Sequence, residues 1–290
     1  MRKVKQIIPA SKVNMGGIIL DQPLPTASFD QIDPFLLIHH WYKVLPGDQK
    51  QNEAGVGPHP HRGFSPVTFI FKGGVHHRDS RGNDSIIYEG GTQWMNSGRG
   101  IVHSERPYKQ LAEEGGEFEI IQFWVNNPAK FKMEQPSYQP LPKEETPVYN
   151  SEDGKAKVYV VAGNYNNIKG KISANSPLII LRMELEENGA LDFTIPADYN
   201  TLIYQLDGEL NINNSVQSKA KDLIWFDNDG EEKINISANK KSQAILLAGE
   251  PINEEVASYG PFVMNTQTEI MEAMRDAQMG KMGVLIEELN

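Results

Sequence analysis

An all-β fold in two copies is what the sequence predicts, on three observations. The apolar runs are short and bounded by Gly, Pro, Asn or Asp, with no helical periodicity between them. A strand-and-turn pattern recurs: Val67-Thr68-Phe69-Ile70-Phe71-Lys72-Gly73-Gly74 matches Thr201-Leu202-Ile203-Tyr204-Gln205-Leu206-Asp207-Gly208 in pattern, and Trp94-Met95 matches Trp225-Phe226. Composition then divides the chain, because all seven histidines (His39, His40, His59, His61, His76, His77, His103) fall in the first half. With 290 residues, 39% of them hydrophobic, there is enough apolar surface for two domains.

In the first half the runs at 35–38, 67–71, 86–88 and 118–125 are predicted strands. In the second half the strands are expected at 158–161, 178–185, 202–206, 223–226 and 244–248. Since no helical pattern separates them, βαβ units are disfavoured and an antiparallel sandwich or barrel is expected. Five of the 18 prolines (Pro128, Pro136, Pro140, Pro142, Pro147) mark the seam. Proline neither donates to a ladder nor continues a helix, so this stretch reads as an extended linker dividing residues 1–134 from 135–290. One short C-terminal helix is predicted. Thr266 and Glu269 have capping-box spacing, and Ile270, Ala273, Met274 and Ala277 form an apolar face before Gly280. The nearby methionines (Met271, Met274, Met279, Met282) suit adaptable packing.

Charge and cysteine narrow the function classes. The net charge is −10, and it is uneven: residues 1–150 hold 16 basic and 16 acidic side chains, residues 151–290 hold 12 and 22. That balance argues against nucleic-acid and anionic-lipid partners, and leaves the acidic half as a surface for a protein partner. With no cysteine, disulfides, thiol nucleophiles, iron–sulfur clusters and cysteine zinc sites are excluded. Any metal must use nitrogen and oxygen ligands. Residues 1–13 lack the run of about 7 to 15 apolar residues of a signal peptide, and no stretch approaches the roughly 18 of a membrane span, so a cytoplasmic location is expected.

Chemistry concentrates in two pairs at i, i+2 spacing: His59 with His61, and His103 with Glu105. Residues two apart on a strand share a face, so neighbouring strands would converge three imidazoles and a carboxylate. Taken alone, a His-x-His is more often packing than a ligand pair; two pairs of matching parity shift the balance. The set suits iron, manganese, nickel, copper or zinc, and leaves about two positions of an octahedral ion open.

These residues sit within longer motifs. Gly57-Pro58-His59-Pro60-His61-Arg62-Gly63-Phe64 and Thr92-Gln93-Trp94-Met95-Asn96-Ser97-Gly98-Arg99-Gly100-Ile101-Val102-His103-Ser104-Glu105 are similar to the two signature stretches of the pirins, a branch of the cupin superfamily. His77-Arg78-Asp79-Ser80, Asp33-Pro34-Phe35-Leu36-Leu37 and Gly260-Pro261-Phe262-Val263-Met264-Asn265-Thr266 also resemble pirin segments, in the same order. The resemblance implies a bicupin, two antiparallel β-barrels with metal only in the N-terminal one. It implies His59, His61, His103 and Glu105 as ligands, and iron as Fe(II). It further implies either quercetin 2,3-dioxygenase-like activity or a regulatory role beside transcription proteins. Two departures stand out. Ser65-Pro66-Val67 replaces a common Glu-Thr-Val, and His39-His40-Trp41 replaces an aspartate-bearing segment, which puts two imidazoles near the expected pocket mouth.

On that resemblance the expected function is a metal-dependent dioxygenase that cleaves a flavonol or related enol-bearing aromatic with dioxygen, Glu105 serving as general base. The alternative is a non-catalytic, redox-sensing iron protein that docks a partner. A sugar isomerase is a weaker third reading. His76 and His77 are expected in a turn, Arg62 to hold a carboxylate, and Trp94 and Phe64 either to wall the pocket or to fill the core.

Overall fold

In a computed structural model of the chain, residues 1–228 and 230–287 are described. Three strands come first: β1 (Val4–Pro9), β2 (Ser11–Met15) and β3 (Ile18–Leu24). Next are β4 (Phe35–Leu45), β5 (Val56–His61), β6 (Phe64–Lys72), β7 (Gly74–Asp79), β8 (Asp84–Tyr88), β9 (Thr92–Asn96) and β10 (Ile101–Pro107). A short helix α1 (Lys109–Glu114) precedes β11 (Gly116–Asn126) and β12 (Ser137–Leu141). The chain continues through β13 (Val148–Asn150), β14 (Ala156–Ala162), β15 (Asn164–Tyr165), β16 (Ile168–Lys169), β17 (Leu178–Leu185) and β18 (Ala190–Thr194). It ends with β19 (Asn200–Ile212), β20 (Val216–Lys219), β21 (Asp222–Phe226), β22 (Lys233–Gly249), β23 (Ala257–Tyr259), β24 (Phe262–Met264) and α2 (Gln267–Gln278). Every run predicted as a strand lies within one of these. Among the described residues no helix is long and apolar enough to cross a membrane.

The elements form two compact units, each made of two pieces of chain. Residues 35–145 with the segment from Asn253 onward make a histidine-bearing unit; residues 1–34 with 146–252 make a histidine-free unit. Both are built from antiparallel sheets. In the histidine-bearing unit one sheet has the order β12-β9-β6-β11-β4 and the other β5-β10-β7-β8. The histidine-free unit carries the order β1-β21-β19-β22-β17-β14-β13, with β18 paired to β22 and β20 to β19.

The repeat seen in sequence is a repeat of register. Val67 on β6 pairs with Trp94 on β9, and Leu202 on β19 pairs with Trp225 on β21. The strand order β9-β6-β11-β4 in one unit is β21-β19-β22-β17 in the other. β19 passes through bulges between Gln205 and Leu210, where Gly208 has φ 76°. In the other unit the same path breaks at Gly73, also φ 76°, into β6 and β7. A left-handed glycine lets the chain turn from one sheet to the next without steric cost.

The proline-rich stretch is more than a linker. Pro140 lies within β12, opposite Gln93 of β9, at an edge of its sheet. An edge strand tolerates proline because one row of its amides needs no ladder partner. At the other end, α2 has the expected capping box: Thr266 accepts from the Glu269 amide, and Glu269 accepts from the Thr266 amide. Ile270 and Ala273 are buried, and Met274 and Ala277 pack beside them.

Candidate metal centre

β5 and β10 pair antiparallel, with His103 opposite His59 and Ile101 opposite His61. Alternation places His59, His61 and His103 on one face, where their ligating nitrogens all lie within 4.8 Å of one another. His103 Nε2 is 3.0 Å from His59 Nε2. A register shift between His103 and Glu105 brings Glu105 opposite Val56. Its carboxylate Oε2 lies 3.8 Å from His103 Nε2. Thus three of the four anticipated residues form a tight cluster, and the fourth stands at its edge.

The rings are turned by their outer nitrogens. His59 Nδ1 is 2.8 Å from the Gly57 carbonyl, and His61 Nδ1 is 3.3 Å from that of Pro261. A carbonyl only accepts, so each Nδ1 carries the proton and each Nε2 presents its lone pair inward. His61 Nε2 is buried with no hydrogen-bond partner among the described residues. Burial, then the neighbouring imidazoles, holds the pKa of His61 and His103 well below the usual histidine value. The unmet Nε2 of His61 converges with the Nε2 atoms of His59 and His103, a nitrogen donor set that suits a divalent cation.

Glu105 is held by the facing sheet. Thr68 Oγ1 on β6 donates to Glu105 Oε1 at 2.9 Å, and Gln122 Nε2 on β11 donates to Oε2 at 2.7 Å. Trp124 Nε1 donates to Gln122 Oε1 at 3.2 Å, while its ring lies 5.5 Å from His61 and 4.2 Å from Phe64. Pro66, Met95 and Tyr138 line the space beside Glu105 and His103.

Several expectations change here. His76 and His77 are in β7, not in a turn. His77 Nε2 meets Asp79 at 3.0 Å, and its ring stacks on Tyr138 at 4.0 Å and lies 5.4 Å from His103. Trp94 pairs with Val67 while Gln93 pairs with Thr68, so Trp94 is buried on the face away from the histidines. Phe64 does approach the site, 5.1 Å from His61. Arg62 holds a carboxylate as expected, and it is that of Asp276 on α2 at 3.0 Å. Thr68, Gln122, Trp124, His77 and Tyr138 escaped the sequence reading. The available signal was Gln122, a polar residue inside the apolar run of β11 and two positions from Trp124.

The register of the histidine-free unit shows what stands at the matching positions. β18 pairs with β22 with Leu191 opposite Ile236 and Phe193 opposite Ile234, as β5 pairs with β10. At this strand pair the facing residues Leu191, Phe193, Ile234 and Ile236 are all buried in an apolar core, with no imidazole or carboxylate among them.

Residues 18–125 match the family model described as pirin, and residues 180–283 match that of the pirin C-terminal cupin domain. A pirin-like protein of Arabidopsis thaliana is 33% identical over 287 residues, covering 97% of this chain and 85% of its own. The chain belongs to the pirin family. A Pseudomonas aeruginosa relative, provisionally named quercetin 2,3-dioxygenase, is 34% identical to this pirin over 86% of both chains. Among solved structures, a quercetin 2,3-dioxygenase from Acinetobacter baumannii superposes with TM-score 0.92 at 32% identity, covering 99% of this pirin and 100% of itself. A nickel(II)-bound pirin of Escherichia coli shares the fold at 20% identity and TM-score 0.67, covering 85% of this chain and 99% of its own.

Proposed function

We propose that this pirin is a metal-dependent dioxygenase acting on a flavonol or related enol-bearing aromatic, as quercetin 2,3-dioxygenases do. The observation that carries the reading is the three-histidine cluster, with His61 and His103 buried and His59 half-buried, and a carboxylate beside it. His59, His61, His103 and Glu105 would hold one divalent ion, Fe(II) by preference, with manganese, nickel, copper or zinc as alternatives. When bound, the ion supplies Lewis acidity toward the substrate hydroxyl and a common anchor for substrate and dioxygen.

The protein's own groups do the rest. Glu105 is the general base, because its carboxylate stands beside the cluster, 3.8 Å from His103 Nε2. Phe64 and Trp124 give an apolar wall against His61 that keeps water away and presents ring faces to a flat substrate. Pro66 and Met95 extend that wall beside Glu105.

The test is oxygen uptake with quercetin by purified protein loaded with Fe(II) or Mn(II). Uptake is expected to fall at least about a hundredfold in Glu105→Ala, as removal of a general base does. Uptake by the wild type no greater than by that variant sinks the proposal for this substrate. A partner protein captured in one iron oxidation state only would then favour the regulatory reading.

A further inference from the structure

Gln122 has four hydrogen-bonding positions and a geometry that uses three groups at once. Its Oε1 accepts from Trp124 Nε1 at 3.2 Å; its Nε2 donates to Glu105 Oε2 at 2.7 Å and to Thr68 Oγ1 at 3.1 Å. Thr68 in turn donates to the other carboxylate oxygen at 2.9 Å. The amide cannot turn over. An indole N–H only donates, so the flipped amide would set N–H against N–H at Trp124 and oxygen against carboxylate at Glu105.

The strands make this arrangement rigid. Gln122 and Trp124 are two apart on β11 and share a face, and Gln122 is the register partner of Thr68 on β6. All three side chains rise from one sheet to meet Glu105 from β10 of the other. Trp124 is itself fixed, with its ring against Phe64 and His61. The chain of contacts therefore runs from one histidine, through Trp124 and Gln122, to Glu105 beside another. Both carboxylate oxygens are located by protein donors, so the position of Glu105 is set by this network.

We infer that Gln122, oriented by the indole of Trp124 and assisted by Thr68, is the positioning residue that aims the Glu105 carboxylate at the three-histidine site. This rests on the assignment of that site to a metal in the proposed function. Gln122 and Thr68 reach the three-histidine site through the Glu105 carboxylate, so their effect passes through it. An amide that merely filled the barrel interior would alter stability without altering the ligand field of a bound ion. An amide that aims a ligand alters both the affinity and the ligand field.

The experiment titrates Co(II) into the metal-stripped full chain and follows binding and visible absorption. Gln122→Met keeps the length and removes the donors; Thr68→Val keeps the shape and removes the hydroxyl; Trp124→Phe keeps the ring contact and removes the N–H. In Gln122→Met, Co(II) affinity is expected to fall about 10- to 100-fold, the usual effect of removing a partner behind a metal ligand. The visible bands are expected to shift, with the metal-free thermal midpoint close to wild type. Thr68→Val and Trp124→Phe should move both readouts the same way by less.

Wild-type affinity and spectrum in Gln122→Met overturn the inference, as does weaker binding with an unchanged spectrum. If Gln122→Met fails to fold, wild-type affinity and spectra in the other two variants overturn it. A wild-type chain that takes up no Co(II) removes the metal site and this inference together. Absence of quercetin turnover alone leaves the inference standing, because neither readout uses turnover.

Discussion

His39 and His40 are neighbours in sequence and opposites in environment, because successive strand residues face opposite ways. His39 pairs with Gln122 and shares its face; His40 pairs with Ile121, and its Nε2 meets Glu119 at 2.9 Å. Burial lowers the His39 pKa to about 4, and those of His61 and His103 well below the usual value. Such imidazoles stay neutral in the folded chain while the unfolded chain takes up protons near pH 6.5. Their contribution is whole above that pH and is lost as pH falls toward the folded pKa. For His39 the difference of 2.5 units corresponds to about 3 kcal/mol. Metal-free protein should therefore unfold at progressively lower urea between pH 7 and 4, and His39→Asn should show a shallower decline. Equal slopes for the two would rule out a contribution from His39. The same alternation explains why the pairs His59 with His61 and His103 with Glu105 were legible, whereas Trp94 and Trp124 could not be told apart. Which of two tryptophans faces the histidines depends on register, which a linear sequence does not display.

The turn between β5 and β6 ties the strand of His59 and His61 to β24. Gly63 has φ 91°, and an added Cβ would run into the Val263 carbonyl. Lys132, buried and with its pKa lowered by burial to about 8, donates to the carbonyls of Gly63 and Val263 and to Asn126 Oδ1. Gly63→Ala should cost about 2 kcal/mol or more, since it meets both an unfavourable φ and a backbone collision. Thermal denaturation measures this, and a midpoint equal to wild type would show that the turn relaxes freely. The apolar strands and α2 were legible because short apolar runs bounded by turn residues and a capping box are local signals, whereas α1 was not anticipated. The use of Pro140 in edge strand β12 was not, because edge position is a property of the sheet and not of the segment.

Across the whole chain, two units share one strand order and differ at the matching positions of β5 and β10. Where β5 and β10 bring histidines together, the equivalent pair β18 and β22 brings together Leu191, Phe193, Ile234 and Ile236. Apolar side chains offer no ligand, so metal analysis should find one ion per chain in the wild type. Full retention in both His59→Ala and His103→Ala would refute the assignment, and two ions per chain would refute the asymmetry. The uneven distribution of histidine already announced one equipped and one unequipped half. It did not announce that each unit draws on two separate pieces of the chain.

By itself the sequence determined the all-β class, the repeat, the absence of thiol chemistry, and the histidine and carboxylate pairs. Each of these depends on residue type, composition or short spacing, which are preserved in a linear string. Only the tertiary structure decided that Gln122, Thr68 and Trp124 stand behind Glu105, that His77 lies beside His103, and that Trp94 turns away. Those contacts join strands far apart in the chain, and register and sheet pairing, set by packing of the whole unit, bring them together.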